Sequence, residues 1–112
     1  MCALWCEGQT LGDSWGLAVA GGELDIATSG QLKDLCHDLR IHGAKHLIVD
    51  LSGVTFVDSD GLGLLVAEQR RSGQLHLVVT QPQMLRVFSI TGLDKLFILH
   101  SSRDDALRAT AD

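Results

Sequence analysis

The segment Phe56–Val66 reads FVDSDGLGLLV. Asp58 and Asp60 flank the hydroxyl of Ser59, Gly61 follows at once, and the chain then turns apolar at helical spacing. Residues of these types can hold a cation, transfer an acyl or phosphoryl group, or bind an anion at a helix start. A calcium loop needs glycine at its sixth place and glutamate at its twelfth. Counted from Asp58, glycine stands fourth and Gln69 twelfth, and Leu62, Leu64 and Leu65 fall where oxygen ligands belong. A serine-hydrolase elbow needs G-x-S-x-G, but Ser59 sits in VDSDG, where two carboxylates would oppose an oxyanion. The histidines 37, 42, 46, 76 and 100 fall in no motif of a catalytic base. His42 and His46 are spaced like zinc ligands, but Gly43 between them marks a helix end, so they read as solvated loop residues. A phosphoacceptor aspartate of the receiver type could use Asp50 or Asp58 with Thr80. It also needs an acidic pair after the first strand and a lysine after the last, and ALWCEGQT and LFILHSS supply neither. No G-x-x-x-x-G-K-[S/T] loop exists to hold a nucleotide. What remains is a strand-to-helix turn with polar groups at a helix N-terminus. There, backbone N–H groups can hold an anion and Asp or Ser can cap.

The elements that position this turn follow from periodicity. Leu4–Thr10 and Trp15–Ala20 read as two strands around the turn Gly12–Ser14, an antiparallel hairpin broken off by Gly21 and Gly22. Thr28 and Gln31 have capping-box spacing, and Leu32, Leu35, Cys36 and Leu39 form one helical stripe that Gly43 ends. His46–Leu51 is a nearly continuous apolar run, as expected of a central strand, and Gly53 is expected to turn the chain before Val54–Val57. Leu62, Leu65, Val66 and Gln69 give the next helix its face, with Arg70 and Arg71 in its last turn and Gly73 after it. Leu75–Val79 reads as a strand. Thr80 and Pro82 open a helix with Met84, Leu85, Val87 and Phe88 on its apolar face, ended by Gly92. Leu96–Leu99 is a last strand, and Ser102 caps a final helix with Asp104 and Asp105 in its first turn. The order implies one α/β domain over residues 1–112: an N-terminal β-hairpin, then alternating helices and strands. That gives a mixed, largely parallel sheet of about five strands with about four helices.

Composition narrows the function. The 112 residues suffice for one core, burying about 65% of the surface of the unfolded chain. The net charge of −5, with basic residues scattered, argues against nucleic acid and against a polybasic membrane patch. No apolar run is long enough to span a bilayer, and MCALWCEG lacks the pattern of a secretory signal, so a cytoplasmic location is expected. Cys2, Cys6 and Cys36 form no dense pattern and read as reduced thiols. Cys2 and Cys6 would share one face of a strand, where ordinary packing competes with a redox role.

The pattern D-S-[S/T]-G-L-G after an apolar strand resembles the signature of the STAS family, whose small members are anti-sigma factor antagonists. GELDIATSGQLKDL resembles the family's first helix and the turn before it. LIVDLSGVTFVDSDGLGLLV resembles its central strand and signature helix, and LRVFSITGLDKLFILHSSRDDAL its C-terminal part. The three segments occur in the right order and spacing and span nearly the whole chain.

The resemblance implies a binding protein and not an enzyme, with no cofactor and no metal. Its partner would be an anti-sigma factor that is also a serine kinase of ATPase fold, and binding would free a sigma factor for transcription. Phosphorylation at a hydroxyl of the signature would weaken the complex, and a phosphatase would reverse it. Carried over by position, Asp58, Ser59, Asp60, Gly61, Leu62 and Gly63 belong to the recognition surface or shape it, and Glu23 and Asp25 are candidate further contacts. Asp60 stands where the second hydroxyl is usual, leaving Ser59 as the available acceptor. Asp60 then either stands in for a modified serine or caps the helix. A STAS scaffold or a transporter accessory subunit is the alternative to an antagonist. A receiver-like phosphoaspartate domain is the weaker one.

Overall fold

The computed structural model describes residues 3–72 and 74–110. Cys2 and Gly73 therefore lie outside the described residues. Strands β1 (Leu4–Leu11) and β2 (Trp15–Leu24) form the expected hairpin. Helix α1 (Ser29–Ile41), strand β3 (His46–Val57) and helix α2 (Ser59–Ser72) follow. Then come β4 (Leu75–Val78), α3 (Pro82–Thr91), a 3₁₀ turn Leu93–Lys95, β5 (Ile98–His100) and α4 (Arg103–Arg108).

The sheet runs β1-β2-β3-β4-β5, antiparallel at the hairpin and parallel thereafter. Right-handed crossovers between neighbouring parallel strands place their helices on one face. Helices α1, α2 and α3 accordingly share one core with Leu47, Val49 and Leu77, sealed by Leu32, Leu65 and Phe88. The last helix, α4, covers the opposite face, where Ala106 meets Leu17, Ile48 and Val78. The apolar run in β3 is buried from Leu47 to Leu51, as a central strand covered on both faces should be.

Several local expectations are corrected. Gly21 and Gly22 do not end β2, which continues to Leu24 through two register shifts against β3. Gly53 does not turn the chain but lies inside β3, paired with Gly21. Gly21 makes room for Trp5, since a Cβ there would stand 2.4 Å from the indole, whereas a Cβ on Gly53 would crowd the backbone of β2, 3.2 Å from the Gly21 Cα. The capping box at Thr28 does not form. Its hydroxyl instead donates to the Glu23 carbonyl (2.7 Å) and accepts from the Asp25 N–H (2.9 Å), which ties the loop to the end of β2. Leu85 is exposed, and α3 buries Met84 and Phe88 alone. The last strand starts at Ile98, two residues later than its hydropathy suggests, because the 3₁₀ turn delays it. Ser102 does cap α4, accepting from the Asp105 N–H at 3.1 Å.

Candidate partner-recognition site

Asp58 is the residue that builds the signature turn. It follows directly on β3, and its N–H donates to the Leu24 carbonyl at 3.1 Å. One carboxylate oxygen accepts from the Gly61 N–H at 2.9 Å, the bond an N-cap side chain makes to the third residue of its helix. The other accepts from the Ile26 N–H at 3.1 Å, across a gap of thirty-two positions in sequence. One side chain thus starts α2 and fixes the loop before α1. The cap belongs to Asp58, so the capping role considered for Asp60 is corrected. Asp60 is exposed in the first turn, and among the described residues it makes no side-chain hydrogen bond or ion pair. Its charge still faces the positive end of the helix dipole. Ser59 is exposed beside it.

Gly61 and Gly63 differ. A Cβ on Gly61 would lie 2.7 Å from the Leu24 carbonyl oxygen, so α2 can approach β2 only with glycine there. A Cβ on Gly63 would meet nothing within 4 Å. Leu62 is half-buried against the core and Leu65 fully buried. Asp25 is engaged in its own turn, its carboxylate accepting from the N–H groups of Ala27 (2.9 Å) and Thr28 (3.0 Å). Glu23 lies in β2 beside Phe56, and because Leu24 enters the helix-side core, strand alternation sets Glu23 toward the other face. Ile26 and Phe56, 73% and 49% exposed, supply apolar surface close to the turn.

Three polar groups have structural roles that the sequence did not show. Glu68, fully buried on α2, is ion-paired with Arg40 of α1 and stands 3.6 Å from Arg71. Its signal was a carboxylate on the stripe of Leu64 and Leu65. Nearby, burial pushes the Cys36 thiol up to about 11, so it stays protonated. Asp50, central in β3, accepts from Ser52 and from Arg103 Nε (2.7 Å), which anchors α4. Burial raises the Asp50 pKa, but the Ser52 and Arg103 bonds outweigh it and hold the group below the usual aspartate value. Asp50 is thus an anchor inside β3. His46 is not a loop residue: it opens β3 and lies 4.9 Å from Trp15, ring to ring. Trp15 also meets His76 edge-on, and His76 stacks on His100 with Nδ1 and Nε2 2.9 Å apart. Burial, then the neighbouring imidazoles of His100 and His46, lower the His76 pKa. Burial lowers that of His100 against the pull of Asp105. Among the described residues no cluster of His, Cys, Asp and Glu could hold a metal ion, and no helix is long and apolar enough to cross a membrane.

A five-stranded sheet with three helices on one face, one on the other, and a capped polar turn at the end of its central strand defines a single-domain α/β architecture. The chain belongs to the STAS family, whose domain profile matches residues 17–106. It is 35% identical over 103 residues to the anti-sigma-F factor antagonist RsfB of Mycobacterium tuberculosis, covering 88% of this chain and 84% of that one. It is 35% identical over 80 residues to an anti-sigma-B factor antagonist of Staphylococcus aureus, covering 68% and 74%. The crystal structure of an anti-sigma factor antagonist from Mycobacterium paratuberculosis superposes with a TM-score of 0.87 at 29% identity, over 98% of this chain and 96% of that one.

Proposed function

We propose that this protein is an anti-sigma factor antagonist that binds an anti-sigma factor through the start of α2 and so releases a sigma factor. The observation that carries the reading is the match along most of the chain to relatives that bear this function in their names. The exposed Ser59 and Asp60, held out by the Asp58 cap, supply a polar surface suited to it. The protein acts by binding and not by catalysis, and needs no cofactor. Its partner is an anti-sigma factor with serine-kinase activity on an ATPase fold. That kinase modifies Ser59 or nothing, because Asp60 occupies the usual place of the second hydroxyl. A phosphate would add about −1.5 to −2 charge between two aspartates and weaken the complex. A phosphatase would restore it.

Capture from a lysate followed by mass spectrometry tests the reading. An ATPase-fold anti-sigma factor is the expected partner. Recovery of a membrane transporter or a scaffold assembly in its place overturns it. Incubation with that kinase and ATP, followed by phosphopeptide mapping, tests the acceptor. Efficient modification of Ser52 or Thr55 would contradict the assignment to Ser59.

A further inference from the structure

Beside the signature turn, α1 and α2 leave a groove between them. Its first part is a cavity of about 410 Å³ between Ser29, Gly30 and Lys33 on α1 and Asp60, Leu64, Ala67 and Arg71 on α2. The α2 residues fall at i, i+4, i+7 and i+11, a single face about 16 Å long. A second cavity of about 490 Å³ shares Lys33 and Arg71 and continues past Arg40. The ends of the groove differ in charge. Asp60 stands at one end with no ion pair among the described residues. At the other, Lys33, Arg40 and Arg71 are met among the described residues by Asp34 and the buried Glu68, an excess of one cation in a chain of net charge −5. The floor between them is small and apolar, with the exposed Ile26 as one wall.

Two glycines add an independent observation. Gly30 lines the groove and Gly63 sits one turn from Asp60, and a Cβ on either would meet nothing within 4 Å. Glycine is the poorest residue inside a helix apart from proline. The fold gains nothing from either one, whereas Gly61 is demanded by a close backbone contact. At Gly30 the absent side chain keeps the groove open to something outside the chain.

We infer that this groove seats an amphipathic helix of the anti-sigma partner, with a basic residue against Asp60 and an acidic residue about three turns away against Lys33 and Arg71. The inference rests on the proposed function for the owner of that helix. Its chemistry is read from the groove alone. The length fits three helical turns, the end charges fix the direction, and the floor of Leu64 and Ala67 takes small apolar side chains between them.

The probe is a synthetic helical peptide of about eighteen residues with arginine and glutamate eleven positions apart and leucines between on one face. A control peptide has the two charges exchanged. Fluorescence anisotropy with the full chain should show the first peptide binding about tenfold tighter than the control. The preference should vanish in the double variant Lys33→Glu/Arg71→Glu. Gly30→Met should abolish binding of both peptides while its melting curve stays native. Equal binding of the two peptides, or unaltered binding by Gly30→Met, overturns the groove assignment. With the captured anti-sigma factor, Gly30→Met should weaken the complex about tenfold or more. Full affinity there overturns the groove and leaves the antagonist function standing. Failure to capture any anti-sigma factor removes that function, and the peptide preference still reads the groove. Sedimentation of the free chain must show a monomer. A dimer broken by Gly30→Met would assign the groove to a second copy of this chain and overturn the inference.

Discussion

The two faces of the sheet are built on different principles. The face under α1, α2 and α3 is a continuous apolar core in which Leu24, Leu47, Leu65 and Phe88 are fully buried. The face under α4 has a small apolar cluster, Trp5 lying on Gly21, and two polar devices: the Asp50–Arg103 pair and the imidazole pair of His76 and His100. The three-helix face carries most of the stabilising burial and also holds the signature turn at its end. The α4 face is fastened by a few directional contacts, so its stability depends on protonation.

Core truncation gives the largest effect and breaks the comparison if it fails. Phe88 is fully buried and meets Phe97 edge-on, the ring centroids 5.9 Å apart. Phe88→Ala should cost about 3–5 kcal/mol of unfolding free energy. On the opposite face Leu107 is only half-buried, and Leu107→Ala should cost about 1 kcal/mol. Urea unfolding of both variants measures the difference. Equal losses would show that α4 is as firmly packed as the other helices.

Removal of the Asp58 carboxylate comes next. Asp58→Ala leaves the N–H groups of Gly61 and Ile26 without their acceptors. The loss should be about 1–2 kcal/mol. Amide exchange should rise at both Gly61 and Ile26, because one side chain holds both. Exchange that rises at Gly61 alone would reduce Asp58 to a simple cap.

A smaller, pH-dependent effect belongs to the α4 face. In the unfolded chain His76 takes up a proton near 6.5, and in the folded chain burial and its imidazole neighbours lower that value. The unfolded state therefore binds more protons as pH falls through about 6.5. Stability is fully present above that pH and declines below it, by at most about 1.4 kcal/mol per pH unit for the one imidazole. His100 acts in the same direction. Asp50, with its lowered value, keeps its contribution until the pH falls below the ordinary 3.8. His76→Phe should flatten the decline between pH 7 and pH 5 in chemical unfolding curves. An unchanged slope would place the titrating group elsewhere.

The same contrast explains what was legible in the sequence. The helix-side face announces itself, since Leu32, Cys36 and Leu39 or Met84 and Phe88 follow helical spacing, and LIV in β3 marks a central strand. The order of elements and the one-domain architecture came from that periodicity. Glycine was the weak point. Gly21 and Gly53 look like breakers, but each lies within a strand: Gly21 makes room for Trp5 and Gly53 for the neighbouring backbone of β2, partners distant in sequence. Thr28 had capping spacing, yet its hydroxyl oxygen accepts from the Asp25 N–H while the hydroxyl donates to the Glu23 carbonyl, which no capping pattern reveals. In the signature turn the residue types were legible and their division of labour was not. Two aspartates flank one serine, and only the long-range bond to Ile26 shows that Asp58 is the structural one.

The smallest expected effect on stability falls at the other aspartate, and it separates fold from recognition. Asp60 makes no side-chain hydrogen bond among the described residues, so its contribution to folding is the interaction with the helix dipole. That interaction is worth about 0.3–1 kcal/mol for an exposed acid in a first turn. Asp60→Ala recovers part of it through helix propensity. Asp60→Asn should therefore cost no more than about 1 kcal/mol, and Asp60→Ala no more than about 0.5 kcal/mol, in urea unfolding. Binding should behave differently. If Asp60 pairs with a basic residue of the docked helix, both variants should lose about tenfold in affinity for the anti-sigma factor by titration calorimetry. The loss should shrink with added salt, because the pair lies at an exposed end of the groove. A carboxylate that imitates a phosphate would give the opposite sign: Asp60→Asn would bind more tightly at unchanged stability. That result would make the chain a permanently weakened antagonist and would reverse the polarity assigned to the groove.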